Sequence, residues 1–172
     1  MFSVTNKRSS VWFSSILFAL LASACASIPQ SPVTADDPCI GPELALGRSE
    51  ESVTDALGEP AARRARTLQN RHDPNVTDMR ITLIYTGAEV ELHTVPVHDA
   101  TFLARVEISS DRYAIIPGLE IGMPRTQALR ALGLYSDADT VRKECPLELS
   151  PTIELTFERG RLARIVWINE PD

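Results

Sequence analysis

The sequence predicts an α+β fold made of two helix-plus-antiparallel-meander repeats, with the sheet packed on helices. Three observations carry this. Several segments alternate apolar and polar residues and are joined by short turns, the pattern of antiparallel hairpins with one packed and one wet face. Each group of such segments follows a short amphipathic stretch with helix start and stop signals. Two motifs recur in the same order, which points to an internal duplication. The globular part spans 39–172, with repeat 1 over about 45–110 and repeat 2 over about 120–168.

The first helix signal is Ser49 to Gly58. Ser49 is a capping residue, and Glu50 and Glu51 suit the positive end of the helix dipole. Val53, Ala56 and Leu57 fall on one face, Gly58 stops the helix and Pro60 forbids its continuation. The stretch from Ala61 to Met79 is basic, with Arg63, Arg64, Arg66, Arg71 and His72, and reads as a loop or a first edge strand. From Arg80 to Tyr85, Ile81, Leu83 and Tyr85 share a face; Thr86-Gly87-Ala88 is a turn, and Val90 and Leu92 resume the alternation. Ala104, Val106 and Ile108 form a third apolar face, with Arg105 and Glu107 opposite.

The pattern then returns. Leu46 to Gly58, LGRSEESVTDALG, aligns with Ile121 to Gly133, IGMPRTQALRALG, with Pro124 as a first-turn proline in place of Ser49. Leu103-Ala104-Arg105-Val106 recurs as Leu162-Ala163-Arg164-Ile165. Ile153, Leu155 and Phe157 alternate with Glu154, Thr156 and Glu158, Arg159-Gly160 is a tight turn, and Ala163, Ile165 and Trp167 come back as the partner strand. Trp167 is expected in the core, and Arg105 and Arg164 on the wet face beside Glu107 and Glu154.

The chain has 172 residues and a formal charge of −6. Its first 24 residues carry Lys7 and Arg8, then the apolar run VWFSSILFALLASAC to Cys25. A positive n-region, a short apolar run and a small-residue end make a secretory signal. Cleavage after residue 24 removes two cations and no acid, so the mature chain is more acidic still. That disfavours nucleic acid, where binding rests on cations that neutralise phosphates. Leu21-Ala22-Ser23-Ala24-Cys25 resembles the lipobox of bacterial lipoproteins. The resemblance implies acylation of Cys25 and a lipid anchor in the membrane, with Ala26 in the next position pointing to the outer membrane. Ala22-Ser23-Ala24 also fits ordinary signal peptidase, which would release a secreted chain, and a retained N-terminal membrane helix is the third reading. Residues 25–38, with Pro29, Pro32 and Pro38, read as a lipidated Cys and a disordered linker able to reach roughly 40 Å. An acylated Cys25 leaves Cys39 and Cys145 as an even pair in an oxidising compartment, where a disulfide is the natural reading and two unpaired thiols the alternative.

The repeat motif, a helix of the form G-x-[S/P]-x4-Φ-x3-L-G (Φ apolar) followed by an antiparallel meander, resembles the SmpA/OmlA lipoprotein family and is similar to the tandem modules of secreted β-lactamase-inhibitory proteins. Both resemblances imply an α/β sandwich with a sheet backed by helices. No G-x-S-x-G, H-E-x-x-H, C-x-x-C or phosphate-binding loop is present. His93 and His98, with Glu91 and Asp99, are the best metal candidates, but Pro96 interrupts the strand before His98 and the spacing matches no recognised site. No catalytic residue, metal or cofactor is expected. Arg63, Arg64, Arg66, Arg105 and Arg164 are the candidate partner contacts: the Arg63–Arg71 cluster suits an anionic partner or a lipopolysaccharide phosphate, since arginine forks suit phosphate, and the alternative is that it balances an acidic surface. The sequence thus points to a non-enzymatic lipoprotein of the cell envelope, facing the periplasm from the outer membrane and binding an envelope protein. The alternatives are a secreted inhibitor-like binder and a metal-dependent envelope hydrolase.

Overall fold

Seven strands build one antiparallel sheet: β1 (Ala62–Gln69), β2 (Thr77–Tyr85), β3 (Ala88–Val95), β4 (Ala100–Ile108), β5 (Thr140–Glu144), β6 (Thr152–Glu158) and β7 (Arg161–Ile168). Their spatial order is β1-β2-β3-β4-β7-β6-β5. The structure, a computed structural model, describes residues 37–146 and 151–169. The leader, Cys25 and most of the expected linker therefore lie outside the described residues. Among the described residues three α-helices accompany the sheet: α1 (Gly41–Leu46), α2 (Glu50–Leu57) and α3 (Arg125–Ala131).

Two meanders, β1–β4 and β5–β7, meet where β4 pairs with β7. The alternation in the sequence places Ile81, Leu83 and Tyr85, then Val90 and Leu92, then Ile153, Leu155 and Phe157 in the core. On β4 the outcome differs from the simple alternation. Glu91 pairs with Arg105 but Leu92 with Leu103, so Ala104 is an extra residue. This β-bulge resets the side-chain direction, and Leu103 joins Val106 and Ile108 in the core while Ala104 is itself buried. The same event occurs on β7. Thr156 pairs with Arg164 and Phe157 with Leu162, leaving Ala163 extra. Both copies of the Leu-Ala-Arg motif thus carry a bulge at their alanine.

The helices add Leu46, Val53, Ala128 and Leu129 to the same buried cluster, and the chain after β4 adds Tyr113, Ile115, Ile116 and Leu119. Ser49 caps α2: its Oγ accepts the Ser52 backbone N–H at 3.1 Å, and Ser52 Oγ accepts that of Ser49. Of the apolar face expected on α2, only Val53 is buried and Leu57 partly so; Ala56 is exposed. A helix of two turns is too short to bury a broad stripe. Pro124 is the N-cap of α3 rather than its first-turn residue.

Two elements were not expected from sequence. α1 has six residues starting Gly-Pro, too few to show a helical period. β5, Thr-Val-Arg-Lys-Glu, is an edge strand whose residues are exposed or half-buried, so it lacks an apolar alternation. The stretch 61–79, open between loop and strand, contains all of β1 and the start of β2. Asp37, just before the expected boundary at residue 39, is tied to the turn that precedes α1. Asp37 Oδ1 accepts the Cys39 N–H at 2.9 Å, and Asp37 O accepts the Gly41 N–H at 3.0 Å.

Cys39 and Cys145 form a disulfide, with Cα atoms 5.7 Å apart and both residues buried. It ties the turn before α1 to the end of β5. Trp167 lies in the core at 1% exposure, and its Nε1 donates to Cys39 O at 2.8 Å. The indole therefore has the polar partner that a buried tryptophan requires.

Candidate functional site

Side chains on the open face of the sheet follow the register across strands. Arg66, Arg80, His93 and Phe102 lie in one row. Arg64, Thr82, Glu91 and Arg105 lie in the next, and Glu89, Glu107, Val166 and Glu154 in a third. The arginines proposed from sequence therefore divide. Arg64, Arg66, Arg105 and Arg164 belong to the open face. Arg63 belongs to the opposite side of β1, where its Nε donates to Glu50 Oε1 of α2 at 2.6 Å. That hydrogen bond and the Glu50 charge raise the Arg63 pKa above its ordinary value.

Arg105 and Arg164 meet where the two meanders join. Glu107 accepts from Arg105 and, at 3.4 Å, from Arg164, whose other terminal nitrogen reaches Glu154 at 3.4 Å. The chain of four charges runs over Val166, which is only 2% exposed. At such partly wet positions these pairs add little stability, about 0–1 kcal/mol each, but they fix a patterned polar surface. Arg80 and Glu91 form a further pair at 3.4 Å.

At the β1–β2 end the open face deepens into a cleft of about 400 Å³. Its wall contains the buried carboxylate Asp78, which accepts from Asn70 Nδ2 at 3.0 Å and contacts His93 Nε2 at 3.0 Å. The His93 ring stacks on Phe102 with centroids 4.9 Å apart and planes at 26°. Burial pushes the Asp78 pKa up, while the Asn70 and His93 hydrogen bonds and the charges of His93 and His98 push it down. The downward causes prevail, and the carboxyl sits below its ordinary value.

Asp78 was not identified from sequence. An acidic residue at the start of an alternating strand looks like any solvent-facing one; its partners Asn70 and His93 lie 8 and 15 residues away. The metal candidates do not converge. His93 engages Asp78, Glu91 engages Arg80, and His98 closes a 3-10 turn at Pro96–His98. Among the described residues no three of His, Cys, Asp or Glu are grouped as a metal ion requires. Among them, too, no helix is long and apolar enough to cross a membrane. Comparison with protein-family models, with curated proteins and with solved structures finds no match for this chain.

Proposed function

We propose that this chain is a non-enzymatic, lipid-anchored module of the bacterial cell envelope that binds a protein partner through its open sheet face. The observation that carries the reading is the distribution of arginines. In a chain of net charge −6, Arg64 and Arg66 lie on the open face of the exposed edge strand β1, and Arg105 and Arg164 lie on the same face further into the sheet, paired with Glu107 and Glu154. Arginine is favoured in protein interfaces because its planar fork pairs with carboxylates and its stem covers apolar surface. An exposed edge also offers unpaired backbone groups to an incoming strand.

The anchor reading rests on the lipobox resemblance at Cys25. The intact mass of the chain from a membrane fraction tests it. Residues 25–172 plus a diacylglyceryl and an acyl group are expected; an unmodified chain in the soluble fraction would refute the anchor and favour secretion. The partner reading is tested by pull-down from crosslinked membranes. A specific envelope protein should be recovered by the wild type and lost with Arg64→Glu/Arg66→Glu. Recovery of no specific protein, or undiminished recovery by that variant, counts against it.

The two meanders are read as copies of one unit, in keeping with the SmpA/OmlA-like motif. Three features support this. Both Leu-Ala-Arg motifs bulge at the alanine. Gly47 and Gly122, and likewise Gly58 and Gly133, all take positive φ at matching positions around α2 and α3. The shift that maps Arg105 onto Arg164 also maps Glu107 onto Val166, and these two residues pair with each other across β4 and β7. Two copies related by a local two-fold axis would meet in this way. An experimental structure in which β2–β4 failed to superpose on β5–β7 would overturn the reading.

A further inference from the structure

We infer that the cleft at the β1–β2 end of the open face is a binding site for a small organic anion, a carboxylate or phosphate carried on a planar apolar body. Charge is the first reason. Arg66, Arg71 and Arg80 line the cleft against one carboxylate, Asp78. That carboxylate is already engaged by Asn70 and His93. Arg80 is also engaged, by Glu91. Arg66 and Arg71 make no ion pair with a described residue. Among the described residues two guanidinium groups thus remain to receive an anion, in a protein whose overall charge is negative.

Shape and polarity are the second reason. The cleft is also lined by Leu68, Val95 and the Phe102 ring that stacks on His93. An inorganic anion would pair with the arginines but leave this apolar surface uncovered, whereas a ring attached to the anion would cover it. The volume, about 400 Å³, falls in the range of small-molecule sites.

Preorganisation is the third reason. Asn70 acts in both directions: its Nδ2 donates to both Asp78 oxygens, and its Oδ1 accepts the backbone N–H groups of His72 and Asp73 at 2.9 and 3.0 Å. This fixes the loop that carries Arg71 and His72 to the buried carboxylate of β2. Asp78 is then a positioning residue, and the arginines and the Phe102 ring are the ligand contacts. The site shares Arg66 with the proposed protein-binding face, and Arg71→Ala separates the two: it should weaken anion binding while leaving partner recovery unchanged.

The test titrates the full mature chain with phenyl phosphate, 3-phenylpropionate, inorganic phosphate and benzylammonium, following heat and the imidazole resonances. The chain has three histidines, His72, His93 and His98, so each resonance can be assigned. At least one of the two aromatic anions should bind saturably, about tenfold or more tighter than inorganic phosphate, and move His72 and His93 more than His98. Benzylammonium should not bind. Which aromatic anion binds better identifies the head group. Arg66→Ala or Arg71→Ala should weaken binding about tenfold or more, the cost of losing one charged hydrogen-bonding group. Arg63→Ala, on the same strand but the opposite face, should leave it unchanged. Phe102→Leu should narrow the preference for aromatic over inorganic anions. The inference is overturned if neither aromatic anion saturates, if inorganic phosphate binds as well, if the histidines do not respond, or if Arg63→Ala weakens binding as much as Arg66→Ala.

Discussion

Replacing both Cys39 and Cys145 with alanine should remove much of the stability of this domain without changing its fold. The bridge joins residues 106 apart in sequence. In the chain-entropy treatment a closed loop of about 100 residues restricts the unfolded chain by about 4.7 kcal/mol, and measured losses on removing native bridges run about 2–5 kcal/mol. Domains of ordinary size hold about 5–15 kcal/mol in total. The structure argues for the upper part of that range of losses. Both cysteines are buried, and Cys39 O also accepts the Trp167 indole N–H, so release of the bridge frees the turn that supports this bond. The assay is urea unfolding of the chain from residue 26 onward, in which Trp167 is the sole tryptophan. With a slope of about 2 kcal/mol per molar urea, a loss of about 4 kcal/mol moves the midpoint down by about 2 M. Reduction of the wild type should give a similar shift and a mass gain of two protons. A midpoint shift equivalent to less than about 1 kcal/mol, with the bridge verified by mass in the wild type, would refute the loop argument.

Three further outcomes follow from particular contacts. Because the Asp78 pKa is below its ordinary 3.8 in the folded protein, the stability it contributes is present above the unfolded value and is lost as pH falls through the lower folded value; acid unfolding should be less steep in Asp78→Asn, and an unchanged profile would show that Asp78 does not contribute. Gly41→Ala places a Cβ 2.2 Å from Pro117 Cδ and should cost about 1–3 kcal/mol by overpacking, whereas a loss near zero in thermal unfolding would mean that α1 moves freely against that proline. Glu107→Gln removes the central charge of the Arg105–Glu107–Arg164–Glu154 chain on a partly wet face and should cost no more than about 1 kcal/mol, shrinking with added salt; a salt-independent loss of several kcal/mol would mean that the seam between the meanders is held by this network rather than by the apolar face beneath it.

Elements whose physics is local could be read directly from the residues. Strict alternation at Ile81-Leu83-Tyr85 and Ile153-Leu155-Phe157 admits only one buried face, and Ser49 and Gly58 bracket α2 by their backbone chemistry. The antiparallel sheet, the wet-face position of Arg105 and Arg164 and the core position of Trp167 were legible for the same reason. Tertiary structure decided what depends on neighbours. β5 pairs with β6 at the sheet edge, and the disulfide joins its end to the turn before α1, while the residues of both elements carry no apolar period. The bulges at Ala104 and Ala163 decide which residues of β4 and β7 turn inward, a choice set by pairing register rather than by composition. The candidate site was legible only in part: His93, Arg66 and Arg71 stood out in the sequence, though His93 only as a metal candidate, while Asp78, Asn70 and Phe102 did not. Asp78, Asn70, His93 and Phe102 come from a loop and three strands, and each has a polar or aromatic side chain that a solvated sheet could equally carry. Only their convergence on one cleft distinguishes them, because a through-space arrangement of groups separated by many residues leaves no mark in the local pattern of the chain.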